Sequence, residues 1–178
     1  MSEELIVRHC SPTLAGIKTG NLFRCAFDSE ERLKAELRKL NRRFAPKGLR
    51  FLPLRIEKNY ALIYVYRPER LKADLSYKEA SGILNRYGYG TTESRCVAHL
   101  IGRLRENGDF PHEIGLFLSY PPEDVKGFIE QAKPKFSGYW KVYGDENSAR
   151  EIFDRYKRCT ESYLHQLNNG SSLDRLVV

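Results

Sequence analysis

The chain has little that would staple, anchor or export it. Its four cysteines, Cys10, Cys25, Cys96 and Cys159, are scattered without a C-x-x-C pair, which argues for reduced thiols and against a disulfide framework or a cysteine-only zinc site. The longest apolar stretch, Ala61 to Tyr66, falls far short of the roughly 20 residues that cross a bilayer, so no membrane insertion is expected. Met1-Ser2-Glu3-Glu4 is acidic and leads into a short apolar run, Leu5 to Val7. The basic and apolar regions of a signal peptide are missing, and a cytoplasmic location is expected. There is no Walker loop, no G-x-G-x-x-G and no G-x-S-x-G elbow, so ATPase, nicotinamide and α/β-hydrolase chemistry lack their usual motifs. Internal repeats, low-complexity segments and linkers are absent too.

What is present suffices for a core. Of 178 residues, 41% are hydrophobic and 30% charged, a balance that predicts one folded domain over 1–178 rather than disorder. The net charge of +7 raises the question of a nucleic-acid partner.

Local patterns predict the elements. Ser11-Pro12 reads as an N-cap followed by proline at the first helical position, giving a short helix over 11–19 that Gly20 stops. A strand over 21–27 follows. Asp28-Ser29 caps a helix with Leu33, Leu37, Leu40 and Phe44 on one face, ended by Pro46 and Gly48. Leu49 to Ile56 and Tyr60 to Tyr66 form an antiparallel hairpin, with Pro53 placing the first strand at an edge or on a bulge. Ser76 to Glu79 has capping-box spacing before a helix to about Tyr87. A helix from Thr91 or Thr92 buries Cys96, Val97, Leu100, Ile101 and Leu104 and ends at Gly108. Ile114 to Tyr120 reads as an apolar strand, Pro121 to Asp124 opens a helix, and Gly138 to Tyr143 reads as another strand. Asp145 then caps the longest helix, Gly170 closes it, and the tail 171–178 docks or frays. The expected class is α/β of the α+β type: a mixed sheet of about five strands with one hairpin and helices packed on it.

Three segments carry a family resemblance: His9 to Lys18, Phe110 to Pro121 and Gly138 to Tyr143. Together they resemble the bacterial family called domain of unknown function 3793, whose hallmarks are a P-H-E and an L-G-Y-P motif. Pro111-His112-Glu113 matches the first, and Leu118-Ser119-Tyr120-Pro121 matches the second with serine in place of glycine. The resemblance brings no activity with it. It implies an association with iron uptake and flavodoxins, hence iron or haem as a cofactor and an acidic redox protein such as a flavodoxin as a partner.

The same segments hold the residues suited to chemistry. A cysteine immediately before a helix N-terminus faces orphan amides and the positive dipole end, so Cys10 is a candidate thiolate. The same helix start, with His9, Ser11, Thr13 and Lys18, could instead hold an anion. The alternative is a buried Cys10 and a merely structural Ser11. His112 and Glu113 could move protons as an acid–base pair, or could satisfy backbone groups in a turn. Tyr120, Tyr139, Trp140 and Lys141 could line a ligand site, with Trp140 either stacking on a planar ligand or anchoring the core through a satisfied indole. As metal ligands, only His9, Cys10, His112 and Glu113 qualify by type, without a recognised spacing.

These candidates lead to three expectations. A cytosolic small-ligand binder or enzyme would use a site near Cys10 and His112-Glu113, the reading the residues favour. A non-catalytic iron, haem or redox partner protein is the second. The third is nucleic-acid binding through the basic segment 30–50, which holds Arg32, Lys34, Arg38, Lys39, Arg42, Arg43, Lys47 and Arg50. The interleaved Glu30, Glu31 and Glu36 make a solvated amphipathic face the simpler account of that segment, and nucleic acid the less expected partner.

Overall fold

In the computed structural model, residues 1–106 and 110–178 are described. The expected helix stop at Gly108 lies outside them. The chain divides into two compact units, one of Met1–Glu69 with Arg158–Val178, the other of Arg70–Lys157.

The first unit is built on the predicted hairpin. Strands β1 (Gly20–Ala26), β2 (Arg50–Ile56) and β3 (Tyr60–Tyr66) form an antiparallel sheet in the order β1-β3-β2. The apolar run Ala61 to Tyr66 is thus the central strand, buried on both faces. Pro53 satisfies both of its expected constraints. It lies on an edge strand, and the register of β2 against β3 shifts between Pro53 and Arg55. Helix α2 (Glu30–Phe44) starts at the Ser29 cap and buries Leu33, Leu37 and Phe44. A 3-10 turn over Ala45–Lys47 follows it, and Gly48 adopts the left-handed conformation that glycine tolerates best.

The first helix differs from the expectation. Helix α1 runs over Glu3–Leu14, with Ser2 as its cap accepting from Leu5 N at 3.2 Å and Glu3 and Glu4 in the first turn. Acids there complement the dipole, so this start outcompetes the one at Ser11-Pro12. Pro12 lies inside the last turn instead, and the Ser11 hydroxyl donates back to Val7 O at 2.5 Å. The tail docks: α9 (Leu173–Leu176) brings Leu173, Leu176 and Val177 into the core of Ile6, Cys10, Leu14, Phe23, Phe51 and Ile63. Arg67 ties these parts together, donating to Thr13 O at 2.8 Å, Leu14 O at 2.7 Å and Val178 O.

The second unit is mainly helical. Helices α3 (Pro68–Ser76) and α4 (Lys78–Arg86) replace the expected capping box. The Ser76 hydroxyl donates back to Ala73 O at 2.6 Å and so closes α3 rather than opening α4. Helix α5 (Glu93–Glu106) buries Cys96, Val97, Leu100 and Leu104 as its periodicity predicts, while Ile101 is half-buried. Ile114 to Tyr120 is not a strand: α6 (Ile114–Phe117) and a tight turn occupy it, with Leu118 N and Tyr120 N both donating to Gly115 O. A short apolar run suits a buried helical turn as well as a buried strand, and period alone does not separate them. Ser119 turns the chain at φ +61. That left-handed value is costly for any residue with a Cβ, which gives a physical reason for glycine in the family motif.

Helix α7 (Pro122–Ile129) comes next, then β4 (Phe136–Ser137) paired antiparallel with β5 (Lys141–Val142). The expected strand over 138–143 is therefore a short hairpin with Trp140 at its turn. It turns over Gly138, where a Cβ would lie 2.2 Å from Phe153. Asp145 caps α8 (Glu146–Asn168) as predicted, accepting from Asn147 N at 2.9 Å. The class is α+β, but among the described residues two separate antiparallel sheets of three and two strands replace a single mixed sheet.

Candidate functional site

The first family-like segment turns inward. Because α1 starts at Glu3, Cys10 sits in the body of the helix and not beside its N-terminal amides. It is fully buried, and burial pushes its thiol well above the usual range. Ser11 and Thr13 are buried as well, and the Thr13 hydroxyl donates to Asn21 Oδ1 at 2.7 Å. Lys18 is 5% exposed, and burial lowers it to about 8, partly offset by Cys10. His9 alone faces out, its ring stacked on Phe23 at 5.4 Å. The anion site and the acidic thiol expected at a helix start therefore have no helix start to stand on.

In the second unit the P-H-E motif splits by side. Glu113 is fully buried, whereas His112 is exposed. Glu113 Oε1 accepts from the Tyr89 hydroxyl at 2.8 Å and lies 2.6 Å from Arg103 Nε as an ion pair. Its Oε2 has no hydrogen-bond partner among the described residues. Burial and the adjoining carboxylate push the Tyr89 phenol far up, which keeps it a donor. The Tyr89 ring also lies 4.3 Å from His99, whose Nε2 is 3.0 Å from Tyr87 O. Glu113 thus joins α5, the 87–90 loop and the start of α6.

The third segment is held by a residue that sequence reasoning placed only in a helix's first turn. Asp124 is 3% exposed. Its Oδ2 accepts from the Trp140 indole at 2.7 Å, and its Oδ1 from Tyr143 N and Gly144 N, each at 2.7 Å. The indole is satisfied, and Trp140 packs on Tyr120 at 4.9 Å and edge-on to Phe153 at 4.4 Å. Tyr120 donates to Tyr139 O at 3.4 Å. Trp140 and Tyr120 are packing residues here, in line with the core-anchor alternative. The partners of Asp124 lie 16 or more residues away, so no local pattern could have found them.

With the loop pinned, its neighbour Lys141 points outward. Its ammonium stands 5.3 Å from the centre of the Phe128 ring, and His112 meets the same ring edge-on at 4.9 Å. Phe128, in α7, is 36% exposed. Two of the three family-like segments therefore converge on one exposed ring, which sequence reasoning missed because a single Phe in an amphipathic helix carries no distinguishing signal. An ammonium, an imidazole and an aromatic face together suit a ligand that is both planar and anionic.

For metals the arrangement offers little. Among the described residues no group of three or more His, Cys, Asp or Glu is placed to hold an ion. No helix of the described residues is long and apolar enough to cross a membrane.

A family model described as "Protein of unknown function (DUF3793)" matches residues 6–177. A probable tRNA pseudouridine synthase D of Thermococcus gammatolerans is 32% identical over 96 residues, a stretch that covers 53% of this chain and 22% of that protein. The chain thus spans about a fifth of the length of this relative. No solved structure matches.

Proposed function

The chain belongs to the DUF3793 family of proteins of unknown function, and we propose that it binds a nucleotide-type ligand on the exposed face made by His112, Phe128 and Lys141. The observation that carries this reading is the convergence of Lys141 and His112 on the half-exposed Phe128 ring. An aromatic face stacks on a base, and an ammonium with an imidazole N–H nearby engages phosphate. Glu113 and Asp124 serve the site from inside, each anchoring the segment that presents an outward residue. The partial similarity to a tRNA-modifying enzyme supports a ligand of nucleotide chemistry, whether free or within RNA. The expected small-ligand reading is kept, with its centre moved from Cys10 to the P-H-E and G-Y-W-K-V-Y segments.

Isothermal titration with AMP, UMP, adenosine and inorganic phosphate tests it. The reading expects both nucleotides to bind better than either half, with Lys141→Ala and Phe128→Ala each losing at least about tenfold, since stacking or a charged hydrogen bond is worth about 1–3 kcal/mol. Equal affinity of the Phe128→Ala variant and the parent chain would remove it.

A further inference from the structure

The basic helix α2 separates its charges into two groups. Lys34 pairs with Glu30 at 2.5 Å, and Arg43 pairs with Glu3 at 3.2 Å and with Asp174. Glu36 takes the Met1 amino group at 2.6 Å, and Glu31 accepts from the Ser29 hydroxyl at 2.7 Å. Every acid of the helix is thus occupied. Arg32, Arg38, Lys39 and Arg42 are exposed, and no ion pair or hydrogen bond of their side chains occurs among the described residues.

These four lie on one side. At 100° per residue they fall within an arc of about 120°, directly opposite the buried stripe of Leu33, Leu37 and Phe44. Their arc contains Ala35 and, in the first turn, Glu31, but no large apolar residue. Protein interfaces take their energy from desolvated aromatic and aliphatic anchors and are depleted of charge at their centre. A phosphodiester backbone needs no such anchor, only cations that displace its counterions, and guanidinium forks match its oxygens. We propose that this face of α2 binds a nucleic-acid backbone. The inference is independent of the ligand site in the second unit, since it uses none of its residues.

Fluorescence anisotropy with a labelled 20-nucleotide oligouridylate and a duplex of equal length tests it, from low to moderate salt. Four neutralised phosphates predict a slope of log affinity against log salt of about −3 for the single strand and somewhat steeper for the duplex. The triple variant Arg38→Gln/Lys39→Gln/Arg42→Gln removes charges with no partner in the fold, so its circular-dichroism melt should match the parent chain. Its oligonucleotide affinity should fall at least tenfold, its salt slope should shrink to about −1, and its AMP titration should be unchanged. The last readout separates this surface from the ligand site. No binding by the parent chain at low salt, an unchanged slope in the triple variant, or equal competition by poly-glutamate would each overturn the proposal.

Discussion

The two units treat their polar residues in opposite ways. In the first, the Cys10 to Lys18 stretch turns inward, with Cys10, Ser11, Thr13 and Lys18 all buried and only His9 at its start exposed. In the second, each family-like segment keeps one polar or aromatic member inside and sends its neighbour out: Glu113 in and His112 out, Trp140 in and Lys141 out. A buried thiol with a raised pKa is an unreactive packing group. An outward residue beside a rigid anchor is placed for binding at no conformational cost. The same kind of motif is thus wholly packed in one place and presents side chains to solvent in another, and burial, not motif type, decides which.

Breaking an anchor in the second unit should have the largest effect. Asp124→Ala strands the Trp140 indole and two backbone amides, which predicts a loss of about 4 kcal/mol in urea unfolding and a shift in the fluorescence of the sole tryptophan. Glu113→Ala leaves Arg103, 25% exposed, and the Tyr89 hydroxyl without their carboxylate. A loss of about 2–3 kcal/mol is expected, smaller because Arg103 still reaches water. His112→Ala and Lys141→Ala should stay within about 0.5 kcal/mol of the parent chain while weakening AMP, as befits exposed residues. An unfolded His112→Ala would erase the contrast between anchor and presented residue.

In the first unit the contrast is sharpened by pH. Lys18 has an ordinary value of 10.5 and a folded value of about 8. Between these the unfolded chain binds more protons at this site, so the Lys18 contribution to stability should rise as pH goes from about 8 to 9. The raised thiol of Cys10 works the other way as pH approaches and passes 9, because the unfolded chain then loses a proton that the folded chain keeps. The thiols of Cys10, Cys25, Cys96 and Cys159 are all raised and oppose Lys18 as pH nears 9, so the Lys18 effect is read as a difference: urea midpoints across this window should shift upward in the parent chain relative to Lys18→Met. A further small effect concerns Ser119, at φ +61. Ser119→Gly should raise the thermal midpoint slightly, by about 0.5–1 kcal/mol of stability.

Much of the fold was legible because it is local. The Ser29 cap, the Tyr60 to Tyr66 strand, the bulge at Pro53 and the Asp145 cap each follow from a few neighbouring residues. The errors occurred where two local signals competed or where the decisive contact is distant. Ser2 and Ser11 both qualify as caps, and the acids after Ser2 settle the matter. Ile114 to Tyr120 has no period to betray its helical turn. The candidate site was half legible: His112 and Lys141 stand out in the sequence, but Phe128 between them depends on a contact spanning 13 to 16 residues, and Asp124 on one just as long.

The central claim is that the second unit presents His112, Phe128 and Lys141 as one binding face, and an NMR titration with AMP tests it most directly. The account predicts saturable shifts of the His112 imidazole and the Lys141 side-chain methylenes, with His9 and His165 unmoved. AMP binding that leaves His112 and Lys141 unshifted, or no shift at millimolar AMP, would contradict it.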